Sequence, residues 1–217
     1  MANVIDSSYF KQGDLYIPNN TDTNAGVVGE SNQTDLDFYI VEYEGQLLIN
    51  ALGIELYEQL VSALSDLDGS NQKWKDLVNG KTYEDPNGVK KRWQGLRGEN
   101  KQSLVACYVY TQYLRNYDET FATTGIVKND SKNATNYDAT PKYIKAYNKF
   151  LKQYQSQLSY APNFYVNKFG NEGTDWYSSE EATVCLYQFL TDSNELDDTS
   201  FPNFVFKFYE EQNSFGI

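Results

Sequence analysis

Apolar residues return every three or four positions along much of this chain, and the polar stretches between them cut it into helix-sized pieces. The first piece opens at Thr34, a suitable N-cap with Asp35 in the first turn. Leu36, Ile40, Val41, Leu47, Leu48, Ala51 and Leu52 keep the helical spacing. Gly45 weakens the middle, which leaves either one helix or two, and Gly53 suits the position just past the end. A second helix carries Leu56, Tyr57, Leu60, Val61 and Leu64 on one face and ends at Asp66-Leu67-Asp68-Gly69. A third, short helix carries Trp74, Leu77 and Val78 and stops at Gly80.

Residues 81–97 read as irregular or as a small hairpin, with turn chemistry at Asp85-Pro86-Asn87-Gly88 and with Trp93 and Leu96 as anchors on the core. From Gly98 to Tyr117 the pattern predicts a helix that is apolar around most of its circumference, which places it centrally in a bundle. Residues 120–139 are a polar loop. Thr140-Pro141 restarts a helix as N-cap and first residue, and Ile144, Tyr147, Leu151, Tyr154 and Leu158 form a seam along it until Pro162. That seam faces either its own bundle or another subunit.

The two ends lack a sustained period. In the first 33 residues, Tyr9-Phe10 and Leu15-Tyr16-Ile17 stand out among Asn, Thr, Asp and Gly. Such an arm is either disordered or ordered by docking, and its apolar patches favour docking. Near the other end, Ser178 and Glu181 form a capping box before a helix with Val184, Tyr187 and Leu190. Phe204, Phe206 and Phe208 then alternate as they would on a strand, and that face needs cover from this domain or a neighbour.

The expected fold is mainly α: a helical bundle of about four to five helices with an extended N-terminal arm, a long polar loop and a small β element near the C-terminus. The divisions are an arm at 1–33, a bundle core at 34–160 and a C-terminal extension at 161–217 with one helix and a short strand.

Charge and composition narrow the function classes. At 217 residues, with 30 acidic and 18 basic side chains, the formal charge is −12. That balance argues against nucleic-acid binding, which needs clustered Lys and Arg. With no histidine, the commonest general base and metal ligand is missing. Cys107 and Cys185 sit among apolar neighbours in predicted helices and read as buried thiols rather than a disulfide framework. The opening residues lack the basic and apolar regions of a secretory signal, and no stretch approaches the ~20 apolar residues of a membrane span. Nineteen Tyr and twelve Phe suit surfaces dry on one side and hydrogen-bonded on the other, as subunit interfaces are, although a Tyr-rich core accounts for them equally well.

Two motif fragments fail on spacing. Gly80-Lys81-Thr82 resembles the end of a phosphate-binding loop, but Lys75 stands where the first Gly belongs. Asp66-Leu67-Asp68-Gly69-Ser70 resembles a calcium loop, but Leu77 replaces the Glu needed at its twelfth position. Acids such as Asp192, Glu195, Asp197 and Asp198 read as a solvated surface. No catalytic residue, cofactor site or metal site is expected.

The order of several short segments carries a resemblance. They are Ser7-Ser8-Tyr9-Phe10 with Leu15-Tyr16-Ile17-Pro18, Tyr39-Ile40-Val41-Glu42-Tyr43-Glu44, and Leu52-Gly53-Ile54-Glu55-Leu56-Tyr57. Then follow Trp74–Tyr83, Trp93-Gln94-Gly95-Leu96, Tyr108-Val109-Tyr110 with Tyr113-Leu114, Thr124-Gly125-Ile126-Val127 with Asn133-Ala134-Thr135, and Asn213-Ser214-Phe215-Gly216-Ile217. In this order and spacing the chain resembles the head–tail connector, or neck ring, proteins of tailed bacteriophages, in the version found in Bacteroides and crAss-like phages. Residues 160–200 depart from that pattern, being longer and more polar.

The resemblance implies a structural virion protein that assembles in the host cytoplasm and resides in the neck. It implies a ring, commonly twelvefold, that docks beneath the portal protein and meets other neck or tail ring proteins. Genomic DNA would pass through its channel without sequence-specific binding. The implied interface candidates are Tyr9, Phe10, Leu15, Tyr16 and Ile17 in the arm, Thr124, Gly125, Ile126 and Val127 in the loop, and Phe204, Phe206, Phe208, Phe215 and Ile217 in the tail. The competing reading is a small-ligand or glycan-binding module with a Tyr-rich cleft. An enzyme working through carboxylates comes third.

Overall fold

The computed structural model describes residues 2–17, 32–117, 120–122, 125–127, 140–155 and 182–210, and within them six α-helices outweigh two small sheets. The protein is mainly α, as the periodicity predicts.

Helix α1 (Asn32–Leu52) runs unbroken through Gly45. A Cβ at Gly45 would stand 3.0 Å from the Tyr57 hydroxyl, so the glycine admits that side chain from α2 (Ile54–Ser65). Packing on both sides outweighs the ~1 kcal/mol that Gly costs a helix. Gly53, at φ +82°, ends α1 and opens α2. Helix α3 (Gln72–Asn79) is capped by Asn71, whose side chain accepts the Lys73 N–H at 3.1 Å.

Residues 81–97 contain the hairpin alternative. Strands β1 (Lys81–Glu84) and β2 (Lys90–Trp93) pair antiparallel with Thr82 opposite Arg92. Asp85 builds the turn by accepting the N–H of Asn87 at 2.9 Å and of Val89 at 2.8 Å. Trp93 and Leu96 are buried anchors, and the Trp93 indole donates to the Leu77 carbonyl at 3.0 Å.

The central helix, α4 (Leu104–Tyr117), starts later than its apolar pattern predicts. Gly98, Asn100 and Lys101 all have positive φ, which stops helix propagation there. Ser103 supplies the cap, its hydroxyl accepting the N–H of Val105 at 3.0 Å and of Ala106 at 3.3 Å. Every residue from Ser103 to Thr111 is buried.

The segment read as a polar loop opens with a second hairpin, β3 (Thr120–Ala122) against β4 (Gly125–Val127), with Phe121 opposite Ile126. β-branched and aromatic residues favour strands, and the composition around them hid this. Residues 123–124 and 128–139 of that loop lie outside the described residues.

Helix α5 (Thr140–Tyr154) carries the expected seam, with Ala146, Tyr147, Phe150, Leu151 and Tyr154 buried. Leu158 and Pro162 lie outside the described residues. Near the C-terminus, Ala182–Thr183 forms β5, parallel to β2. Val184, expected inside a helix, instead donates its N–H to the Arg92 carbonyl at 2.9 Å. Cys185 then acts as N-cap of α6 (Leu186–Leu196), so it precedes the helix rather than lying within it. The Ser178–Glu181 capping box falls outside the described residues.

The core runs through all these pieces. Helix α4 packs against both α1 and α5, its most extensive helix contacts among the described residues. Val4, Ile5, Phe10, Leu15 and Ile17 from the arm, and Phe201 from the C-terminal part, join the same cluster as the helices. The described arm is therefore part of the chain's own core, each large side chain gaining roughly 1.5–3 kcal/mol from burial.

Candidate interaction surfaces

Two polar clamps hold the outlying segments on the helices. The first is Glu44, buried in the middle of α1. Its carboxylate accepts the backbone N–H of Val4 at 2.7 Å and of Ile5 at 3.1 Å, while Arg97 Nε donates to the Val4 carbonyl at 3.3 Å. Burial pushes the Glu44 carboxyl up to about 7, against the pull of those N–H groups and of Arg97. A second carboxylate pair fixes the hairpin to α6. Lys91 Nζ lies 2.8 Å from Asp85 and 3.5 Å from Asp192. Tyr83 donates its hydroxyl to Asp192 at 2.7 Å, and Gln188 donates to the other oxygen at 2.5 Å.

Burial opposes charge on Asp85, but Lys91 and the N–H groups of Val89 and Asn87 outweigh it and hold the carboxyl below the usual range. Burial opposes charge on Lys91 too, and Asp85 and Asp192 outweigh it and raise the ammonium. The oxygens of Asp85 and Asp192 thus meet donors of the chain itself, the arrangement of a structural clamp. Burial also pushes the Cys107 thiol up to about 12, which removes its nucleophilic form at neutral pH. Among the described residues no group of three His, Cys, Asp or Glu is placed to hold a metal. No helix among them is long and apolar enough to cross a membrane.

The tail is pinned by polar tips at the end of α5 and just past it. Gln155 exchanges two bonds with the Tyr209 backbone, at 2.7 and 2.8 Å, and the Tyr154 hydroxyl donates to the Lys207 carbonyl at 3.1 Å. On the other side Lys207 donates its N–H to the Asn50 carbonyl at 2.8 Å. Residues 204–208 therefore lie alongside the end of α1 without pairing as a strand, which corrects the strand expectation. Their alternation survives: Phe204 and Phe206 face the core, Phe206 stacking on Tyr154 at 4.4 Å, while Val205 faces outward.

The interface candidates now separate. Phe10, Leu15 and Ile17 are buried within their own chain and are withdrawn as contacts for a neighbour. Tyr9, Phe204 and Phe206 are half-buried against the core, with the Lys101 ammonium over the Tyr9 ring. Tyr16 and Phe208 are exposed. Gly125, Ile126 and Val127 form strand β4. Thr124, Phe215 and Ile217 lie outside the described residues.

Shallow grooves mark the surface of the described residues. One, of about 270 Å³, runs between α5 and the arm and is lined by Tyr16, Lys142, Lys145 and Lys149. Lys145 pairs there with Asp14 at 2.9 Å, and Lys149 bonds the Gln102 side chain. The other, of about 290 Å³, lies at α1 and is lined by Ile5, Asp6, Asp37, Ile40 and Val41. Beside it Phe38 is 64% exposed and Val41 52%, positions that the apolar pattern alone did not mark as surface. The lysine face was missed for a different reason: α5 was read for its apolar seam and not for its charge.

The chain matches no family model, no curated protein and no solved structure.

Proposed function

We propose that the chain is a structural virion protein, a subunit of a head–tail connector ring that docks beneath the portal of a tailed phage. The resemblance along the sequence supports this reading, and so does the mainly helical fold. The observation that carries it is the placement of exposed large apolar side chains on two different flanks of α4. Phe38 and Val41 lie on the α1 side, and Tyr16 lies beside α5. A ring subunit has a neighbour on each side and presents a different patch to each. The virion neck is the proposed location, with assembly in the host cytoplasm.

The ligand-binding alternative ranks second. Among the described residues, the two grooves above stand just below the ~300 Å³ lower bound of small-molecule sites. The test is to image the purified protein alone and with portal protein, and to search purified virions for it by mass spectrometry. Rings on portal and presence in virions support the proposal. A chain that stays monomeric in both preparations and is missing from virions overturns it.

A further inference from the structure

The first turns of α1 carry an apolar ridge set between two acids. At about 100° per residue, Asp37, Val41, Phe38 and Glu42 follow one another around the helix within about 140°. All four side chains are exposed. Phe38 is nonetheless seated: its ring meets Tyr39 edge-on at 6.2 Å, and Tyr39 rests on Tyr43 at 5.7 Å and on Tyr113 at 5.5 Å. Beside Val41 lies the groove of about 290 Å³, with Ile5 and Asp6 of the arm and Asp37 and Ile40 of α1 in its lining.

The charge here has one sign. No Lys or Arg occurs between Lys11 and Lys73, so α1 and α2 carry acids alone. Among the described residues no ion pair takes Asp37 or Glu42. Asp6 is already engaged, by the Ser8 N–H at 2.8 Å and by the Ser8 hydroxyl, to which Lys101 donates at 2.7 Å.

We propose that this ridge and groove are a docking site for a basic amphipathic segment of another protein. Apolar side chains of that segment cover Phe38 and Val41 and enter the groove, and its Lys or Arg residues on either side meet Asp37 and Glu42. The apolar contacts give affinity and the charges give orientation. The arm helps to build the site, because Glu44 holds the backbone of Val4 and Ile5 and so places Ile5 in the groove. The assignment goes beyond the ring reading and does not depend on it.

The charges choose among occupants. A nucleic acid or an anionic membrane would bring phosphates against Asp37 and Glu42. A second copy would have to offer a basic face. Helix α5 has no Asp or Glu, but its Lys142, Lys145 and Lys149 are engaged within their own chain. A basic segment of a different protein supplies both the apolar cover and the opposite charge.

The probe is a synthetic amphipathic helix of Leu and Lys, labelled with a fluorophore and titrated with the full chain while anisotropy is read over a salt series. Asp37→Lys with Glu42→Lys is expected to weaken binding by roughly tenfold or more. Glu55→Lys with Glu58→Lys, on α2, makes the same change in net charge and should weaken it by less than about threefold. Phe38→Ser with Val41→Ser should weaken it by roughly tenfold and leave its salt dependence in place. Where a reversal variant loses its circular dichroism, Asp37→Asn with Glu42→Gln takes its place and shows the same direction at smaller size.

No binding of the peptide overturns the site. Equal losses in the α1 and α2 variants also overturn it, since they mark plain attraction to an acidic chain. Binding of a DNA duplex or of phosphatidylserine vesicles that is lost in Phe38→Ser with Val41→Ser overturns it as well. So does self-association of the chain that the α1 variants alone abolish, which makes a second copy the occupant. The ring reading is decided separately, by rings on portal protein and presence in virions.

Discussion

The Glu44 carboxylate, in the middle of α1, accepts the backbone N–H of Val4 at 2.7 Å across forty residues of sequence. Its second oxygen takes the Ile5 N–H at 3.1 Å. A buried acid that meets two main-chain donors is what turns a polar, aperiodic arm into part of the fold.

Replacing Glu44 tests that clamp. Glu44→Ala leaves both N–H groups buried without acceptors and is expected to destabilise the chain by about 2–5 kcal/mol in urea unfolding. Glu44→Gln keeps one acceptor oxygen and costs less. Hydrogen exchange at Val4 and Ile5 should accelerate in both. Protection unchanged in Glu44→Ala would show that the arm is held by its apolar residues alone.

The same residue gives a pH signature. Burial holds the Glu44 carboxyl at about 7 in the folded chain, against 4.5 for the ordinary side chain. Between those values the folded state carries the extra proton, so this residue favours folding in acid. Its contribution declines as pH rises from about 4.5 to 7 and is level above that. Unfolding free energy of the wild type minus that of Glu44→Gln should therefore fall across this window, by on the order of 3 kcal/mol. A flat or rising difference would contradict the buried placement.

Lys91 pairs with two buried carboxylates at once, Asp85 at 2.8 Å and Asp192 at 3.5 Å. Lys91→Met should cost about 3–5 kcal/mol, because it strands both charges away from water. Adding Asp192→Asn to Lys91→Met should recover part of the loss. Thermal unfolding by calorimetry reads both, and a Lys91→Met variant as stable as wild type would refute the clamp.

Gln155 holds the tail through both backbone groups of Tyr209. Gln155→Ala should speed trypsin cleavage after Lys207 by roughly tenfold, since two hydrogen bonds of about 1 kcal/mol each no longer oppose local opening. Mass spectrometry of timed digests measures the rate. An unchanged rate would mean that the aromatic packing of Phe206 on Tyr154 suffices.

What the sequence determined by itself were the helices, because their periodicity is local and repeats over many turns. The spacing of Leu36 to Leu52 and of Tyr147 to Tyr154 sufficed to place α1 and α5, and Asp85-Pro86-Asn87-Gly88 was enough to mark the hairpin turn. The charge sorting of α1 and α5 was legible as well, by sign rather than by hydropathy.

Tertiary structure alone decided where the aperiodic pieces go. Whether Phe10 and Ile17 serve a neighbour or their own core depends on a buried carboxylate far along the chain. Whether Phe204 to Phe208 pair as a strand depends on which backbone groups α1 and α5 offer them. The start of α4 was set by Ser103 and a left-handed turn before it, against an apolar pattern that runs on through. Contacts distant in sequence leave no period to read, and the meeting of α1 and α5 with residues 207–209 is one of them.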